Sequence, residues 1–332
     1  MTDLGTTAAI FGCLGPTVLS QEKAFFRDAD PFGFIVFTRN VETPDQLYRL
    51  TSDLRASVGR DALVMVDQEG GRVQRLRAPH WRDWTPPLDA IAAAKNLAAA
   101  CRIMALRASL IASELRAVGI DANCAPVADI ATDATHPFLR NRCYGTDTAS
   151  VTAIARAVAA AYLAGGVLPV VKHMPGHGRA AGDSHLDLPT VTTDAAALNT
   201  TDFAPFRALA DLPMAMTAHI VFTAFDAVNP ATQSSRMIEV IRTDIGFQGL
   251  LMTDDLNMQA LSGSLADRTA KSIRAGCDIA LHCKGDMAEM QAVAVAAGPM
   301  GSDTLTRARR AMALRSNPTI DIAALEAALA DA

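Results

Sequence analysis

Eight short apolar runs, each bounded by glycine or polar residues and separated by stretches of helical periodicity, limit the folds open to this chain. They are Ala8 to Phe11, Gly33 to Phe37, Leu63 to Val66, Asp121 to Ala125, Val167 to Val171, Met214 to Thr217, Gly249 to Met252 and Asp278 to Leu281. Strands that are apolar throughout and alternate with helices belong to parallel sheets covered on both faces. Eight of them predict an α/β fold of the (β/α)8 TIM-barrel type. A doubly wound open sheet is the alternative. It fits less well, because no glycine-rich dinucleotide fingerprint follows the first strand and polar residues follow several strands rather than one switch point. With 332 residues, half of them apolar, the chain can fill one large barrel. We read residues 1–332 as a single barrel domain in which about 302–332 form a helical C-terminal extension.

Local chemistry supports the intervening helices. Thr43-Pro44-Asp45-Gln46 offers an N-cap, a proline at the first helical position and a capping-box glutamine. Leu47, Leu50, Leu54 and Val58 then follow one face, and Gly59 ends the helix. A longer stripe runs through Leu97, Cys101, Met104, Ala108, Ile111, Leu115 and Val118, which leaves Arg102, Arg107 and Arg116 for solvent. The tail beyond Leu305 is alanine-rich, and its helices are expected on the outside of the barrel.

Charge and cysteine usage exclude several classes of function. A net charge of −5 gives no bulk attraction to nucleic acid or to anionic membranes. No apolar run reaches the ~18 residues of a membrane span. The stretch Ala8 to Leu14 lacks a basic flank and a cleavage site, so it reads as the first strand rather than a signal peptide. Cys13, Cys101, Cys124, Cys143, Cys277 and Cys283 show no C-x-x-C spacing and read as reduced, packed thiols. The expected protein is a cytoplasmic monomer that acts on a small molecule.

The densest chemistry lies at Val170-Val171-Lys172-His173-Met174-Pro175-Gly176-His177-Gly178-Arg179-Ala180-Ala181-Gly182-Asp183-Ser184-His185. A buried strand delivers a cation and a histidine before proline and glycine break regular structure. Three of the chain's seven histidines fall here, with Asp183 close enough in sequence to orient the His185 imidazole. His173 and His177 are four apart, but the residues between them forbid the helix that would put an H-x-x-x-H pair on one metal-facing side. No phosphate-cradling G-x-G-x-x-G or G-K-[ST] pattern is present.

Residues just after barrel strands converge on one face. Thr38-Arg39-Asn40 follows the second strand, Asp67-Gln68-Glu69-Gly70-Gly71-Arg72-Val73-Gln74-Arg75 the third, and Asp129 and Arg140-Asn141-Arg142 the fourth. His219 follows the sixth strand and Thr253-Asp254-Asp255 the seventh. Structural readings compete at several of these. Glu69 and Arg72 could form a salt bridge in the wall, Asp129 could cap a turn, Arg140 could be solvated, and His177 and His219 could be packed residues. Of Asp254 and Asp255, adjacent on a strand, one faces the barrel axis, and hydrophobic patterning does not choose between them.

The loop and the strand carrying Asp254 resemble the β-N-acetylhexosaminidases of glycoside hydrolase family 3, whose motif K-H-[aromatic or apolar]-P-G-H-G-x4-D-S-H is matched position by position. The resemblance implies that Asp183 and His185 form the general acid/base dyad and that Lys172 and His173 contact the sugar. It chooses Asp254 as the covalent nucleophile and leaves Asp255 as support. Asp67 and Arg75, within D-x-E-G-G-R-V-x-R, align with residues that bond sugar hydroxyls. Arg142 matches the arginine of N-R-S-F-G, although Cys143 and Tyr144 stand where the family has Ser and Phe.

The activity implied is a retaining exo-β-N-acetylglucosaminidase, without metal or organic cofactor. Its expected substrates are N-acetylglucosaminyl-anhydromuramyl peptides from peptidoglycan recycling. The Arg179-Ala180-Ala181-Gly182 stretch looks flexible enough to let the dyad swing in over substrate. Two other classes compete. A metal-dependent barrel hydrolase would want an H-x-H after the first strand, where Phe11-Gly12-Cys13 stands. An inactive muropeptide-binding protein would lack the nucleophile or the dyad.

Overall fold

A computed structural model describes residues 4–180 and 187–332 of the chain. Eight parallel strands close into a barrel: β1 (Thr7–Gly12), β2 (Pro31–Val36), β3 (Leu63–Val66), β4 (Ala122–Asn123), β5 (Leu168–Met174), β6 (Met214–Thr217), β7 (Leu250–Asp255) and β8 (Ile279–His282). Each pairs with its neighbour in sequence, and β8 closes on β1 through Ala9 opposite Ala280 and Phe11 opposite His282. The strands are buried on both faces, which is why they read as unbroken apolar runs. Among the described residues, no helix is long and apolar enough to cross a membrane.

All eight expected strands are present; β3 and β6 have the expected ends, and the other six are shifted. β5 continues through Lys172 and His173 to Met174, and β7 continues to Asp255, so the polar residues read at the ends of these two strands are part of the strands themselves. β4 is two residues long rather than the five expected. Side chains replace backbone partners there: the Asp121 carboxylate accepts from Val64 N–H at 2.8 Å, and the Asn123 amide bonds both the N–H and the carbonyl of Gln68. A separate two-stranded parallel ribbon pairs Thr190–Val191 with Val221–Phe222.

The helix Pro44–Val58 begins at Thr43, whose hydroxyl accepts from Gln46 N–H, and ends at Gly59, whose φ of 65° suits glycine. Leu47, Leu50 and Leu54 face the core as their spacing requires. In Leu97–Ala117 two expectations fail: Leu97, read as the start of the apolar stripe, is exposed, and an arginine is buried. Arg107 is buried, not on the wet face; it donates to Glu69 O and Thr85 O and stacks on Trp84. Room for the guanidinium comes from Gly70, where a Cβ would lie 1.7 Å from Arg107 Nη2.

At the amino-terminal end of the barrel, buried aspartates fasten strands to helices. Asp278 pairs with Arg242 and Arg307, and Asp121 with Arg55 and Arg315. The last two helices are Ser302–Met312, which buries Ala308, Ala311 and Met312, and Ile322–Ala330. The latter lies against Leu97–Ala117, with Glu326 paired to Arg82.

Candidate active site

Chain segments far apart in sequence meet at the carboxyl ends of the strands, as barrel geometry requires. A polar pocket is lined there by Asp67, Arg75, Arg142, Lys172, His173 and Asp254. His177 and the apolar residues Val73, Phe138 and Leu139 complete its wall. All six residues named from the sequence as sugar-binding or nucleophilic therefore border one cavity. The other two, Asp183 and His185, lie outside the described residues.

One wall alternates cations and carboxylates. Lys172, at the end of β5, places Nζ 2.8 Å from Asp67 Oδ1 and 2.6 Å from Glu69 Oε1. Arg142 donates from Nε and Nη2 to the two Glu69 oxygens, each at 2.8 Å. Arg75 Nη2 reaches Asp67 Oδ2 at 3.2 Å. Burial alone would push both carboxyls up, but Lys172 and Arg75 hold Asp67 far below its ordinary value, and Arg142 and Lys172 bring Glu69 down to about 2. In the same way burial pulls Lys172 down, yet Asp67 and Glu69 raise it above the usual lysine value.

The Glu69–Arg72 wall bridge weighed from the sequence does not form. Glu69 is claimed by Arg142 and Lys172, while Arg72 lies outside the pocket over the Phe138 ring, 4.0 Å from its centroid. Residues 67 and 69 are two apart just past the end of β3, and their carboxylates meet at Lys172 Nζ; that spacing after a strand is the signal that could have placed Glu69. The paired glycines matter here for the support beneath the loop as well. Gly70 and Gly71 adopt φ of 94° and 62°, and Arg107 and Pro86 fill the space their side chains would take.

Asp129 is also part of the site rather than a plain turn cap. It is fully buried, with Oδ2 2.6 Å from His173 Nδ1 and Oδ1 accepting the backbone N–H of His177 at 2.7 Å. Burial raises its pKa, and His173 and His177 more than offset that. Burial and the nearby His173 lower His177 to about 4.

Asp254 and Asp255 diverge as neighbours on a strand must. Asp254 borders the pocket, and its Oδ1 accepts the Asp255 N–H at 2.8 Å. Burial opposes its charge, but His173, His219 and that N–H hold it below the ordinary aspartate value. The Asp255 carboxylate instead accepts from Asn257 N–H and Cys283 N–H, against the end of β8. Burial pushes it up to about 6. His219 packs beneath, bonded to Thr232 Oγ1 and Asp255 O.

Three further residues sit apart from the cavity. Arg39 bonds the carbonyls of Cys13 and Cys283 and so closes the seam between β1 and β8. Arg140 bonds Thr132 O. Of the Arg179–Gly182 stretch read as flexible, Arg179 is bonded to Asp202 at 2.7 Å and to Thr201, and Ala180 N–H donates to His177 O, while Ala181 and Gly182 lie outside the described residues.

Residues 19–310 match the glycosyl hydrolase family 3 N terminal domain. A β-hexosaminidase of Methylococcus capsulatus is 36% identical over 314 residues, which cover 92% of each chain. Among solved structures, NagZ from Neisseria gonorrhoeae in complex with N-trifluoroacetyl-D-glucosamine superposes with a TM-score of 0.87 at 28% identity, over 100% of this chain and 98% of its own. A longer β-N-acetylglucosaminidase from Paenibacillus sp. str. FPU-7 matches 98% of this chain with 62% of its own, at a TM-score of 0.83 and 29% identity.

Proposed function

Because the chain belongs to glycosyl hydrolase family 3, we propose that it is a retaining exo-β-N-acetylglucosaminidase that releases terminal non-reducing N-acetylglucosamine from peptidoglycan fragments. The observation that carries this reading is one cavity in which an ionised Asp254 lies among fixed donors and acceptors for a sugar ring. Asp67, Arg75, Arg142, Lys172 and His173 bind the hydroxyls and amide of the terminal sugar. Charged hydrogen bonds of this kind orient the ring and discriminate against sugars that leave them unpaired.

Asp254 attacks the anomeric carbon and forms a glycosyl-aspartate, for which it must be ionised at working pH; the groups that lower its pKa serve that step. Asp183 and His185 of the D-S-H motif supply the proton to the leaving oxygen and then activate water for the second step. Histidine suits both halves, since its ordinary pKa of about 6.5 lies near neutrality. It also avoids placing a second anion beside an anionic aglycone. The substrates in this reading are N-acetylglucosaminyl-anhydromuramyl peptides, handled by a monomer in the cytoplasm. The six free thiols accord with a reducing compartment.

Turnover of an aryl N-acetyl-β-glucosaminide, followed by mass spectrometry after treatment with a 2-deoxy-2-fluoro glycoside, tests the proposal. The expected adduct is on Asp254, and Asp254→Ala is expected to abolish turnover while the protein stays folded. An adduct on Asp255 would reverse the assignment. Absence of turnover by the wild-type enzyme would leave a sugar-binding protein.

A further inference from the structure

We propose that Asp129 is a positioning residue that fixes His173 as its Nδ1–H tautomer, so that the ring offers the Nε2 lone pair to the pocket and accepts a hydrogen bond from a sugar hydroxyl. The acceptor role rests on the glycosidase reading above; the tautomer assignment does not.

The two ring nitrogens face partners of opposite kind. Nδ1 lies 2.6 Å from Asp129 Oδ2, and an ionised carboxylate only accepts, so Nδ1 carries the proton. Nε2 lies 3.4 Å from Arg142 Nη2, and a guanidinium only donates, so Nε2 carries the lone pair. Each partner is itself fixed. Asp129 Oδ1 is held by His177 N–H at 2.7 Å and His173 N–H at 3.3 Å, which leaves Oδ2 to the ring. Arg142 is held by its two bonds to Glu69. The His177 ring packs edge-on at 5.4 Å and limits rotation of the His173 ring.

The composition of the pocket gives this lone pair a use. Arg75, Arg142 and Lys172 can only donate, and the Asp67 and Glu69 carboxylates already accept from them. Asp254 lines the same cavity as the proposed nucleophile. Every sugar hydroxyl donates as well as accepts; His173 lines the pocket, and since Arg142 Nη2 stands 3.4 Å from Nε2 and is already bonded to Glu69, a hydroxyl donor can take that lone pair in its place. Asp129 would thus act on substrate through a second residue, as the aspartate of a Ser-His-Asp triad acts through its histidine.

Asp129→Asn separates this from a packing role. The single amide oxygen is needed by the two backbone N–H groups, so the amide nitrogen turns to Nδ1 and drives the ring to its Nε2–H form, facing the Arg142 donors. Long-range proton–nitrogen correlation spectra of protein labelled with nitrogen-15 histidine, with His173 assigned from its loss in His173→Gln, report the tautomer directly. The wild type is expected to show Nδ1–H and Asp129→Asn to show Nε2–H.

In parallel, kcat/KM for an aryl N-acetyl-β-glucosaminide is expected to fall about 10- to 100-fold in Asp129→Asn. The same change made in a His173→Gln background, where no ring remains to orient, is expected to cost less than about threefold. An Nε2–H ring in the wild type would overturn the proposal, as would an equal loss in both backgrounds. The wild-type spectrum needs neither a folded Asp129 variant nor glycosidase activity. A failed turnover assay with an Nδ1–H ring would therefore count against the acceptor role and the glycosidase reading, and leave the tautomer assignment standing.

Discussion

Replacing Glu69 by Gln is a test of whether the charge lattice under the pocket is held together as its distances imply. The Glu69 carboxylate receives three short charged bonds, two from Arg142 at 2.8 Å and one from Lys172 at 2.6 Å, in a site nearly closed to water. These partners bring its pKa to about 2 from an ordinary 4.5. At 1.36 kcal/mol per pH unit, that gap corresponds to about 3 kcal/mol of folding free energy. A pKa lower in the folded than in the unfolded state gives stability that is present above about 4.5 and is lost as pH falls toward 2.

A glutamine keeps one acceptor and turns an amide donor toward a guanidinium or an ammonium, so the loss at pH 7 is expected to be about 3 kcal/mol. This agrees with the ~3–5 kcal/mol for breaking one side of a buried ion pair. At ~2.1 cal/mol/K per residue, unfolding entropy for 332 residues is about 0.7 kcal/mol/K, so the midpoint should drop by about 4 °C. Thermal unfolding by circular dichroism between pH 8 and pH 4 would measure it. The deficit is expected to hold steady down to about pH 5 and to narrow below 4.5. A variant within 1 °C of wild type at pH 7, or a deficit independent of pH down to 4, would refute the reasoning.

Asp255→Asn should act in the opposite direction: its folded pKa of about 6 lies above the ordinary 3.8, so its contribution is present below 3.8 and lost as pH rises through 6. The variant is expected to be more stable than wild type by up to about 3 kcal/mol at pH 8, with the gain closing between pH 6 and 4 in denaturant titrations; a gain independent of pH would disprove the cause. Lys172→Ala and Arg142→Ala are each expected to weaken sugar binding about 10- to 100-fold, measured by competition with N-acetylglucosamine, and wild-type affinity in either would remove that residue from the sugar site. His185→Ala is expected to lose far more rate on substrates with poor leaving groups than on a nitrophenyl glycoside, with a phenol burst in the latter as deglycosylation becomes limiting. A loss uniform across leaving groups would assign His185 to binding alone.

The barrel was legible in the sequence because a strand covered on both faces needs no partner to identify it: unbroken runs such as Leu63 to Val66 and Met214 to Thr217 carry their burial in their own composition. Helix boundaries such as Thr43 and Gly59 were legible for a similar reason, since caps are made by residues within one turn of the end. The cavity-lining side chains could be named because strand ends converge and because a long, specific motif marked several of them. What the sequence withheld is pairing. Nothing local distinguishes Arg107, buried under Gly70, from a solvated arginine on the same helix, or tells Glu69 to choose Arg142 and Lys172 over Arg72 three residues away. Asp129 lies 44 positions from His173, and Asp67 lies 105 from Lys172. Those contacts form only when the closed barrel brings successive strand ends around a common axis. Because electrostatic energy depends on distance and burial rather than on residue type, the charge states and the assignment of each donor to its acceptor were decided by the tertiary structure alone.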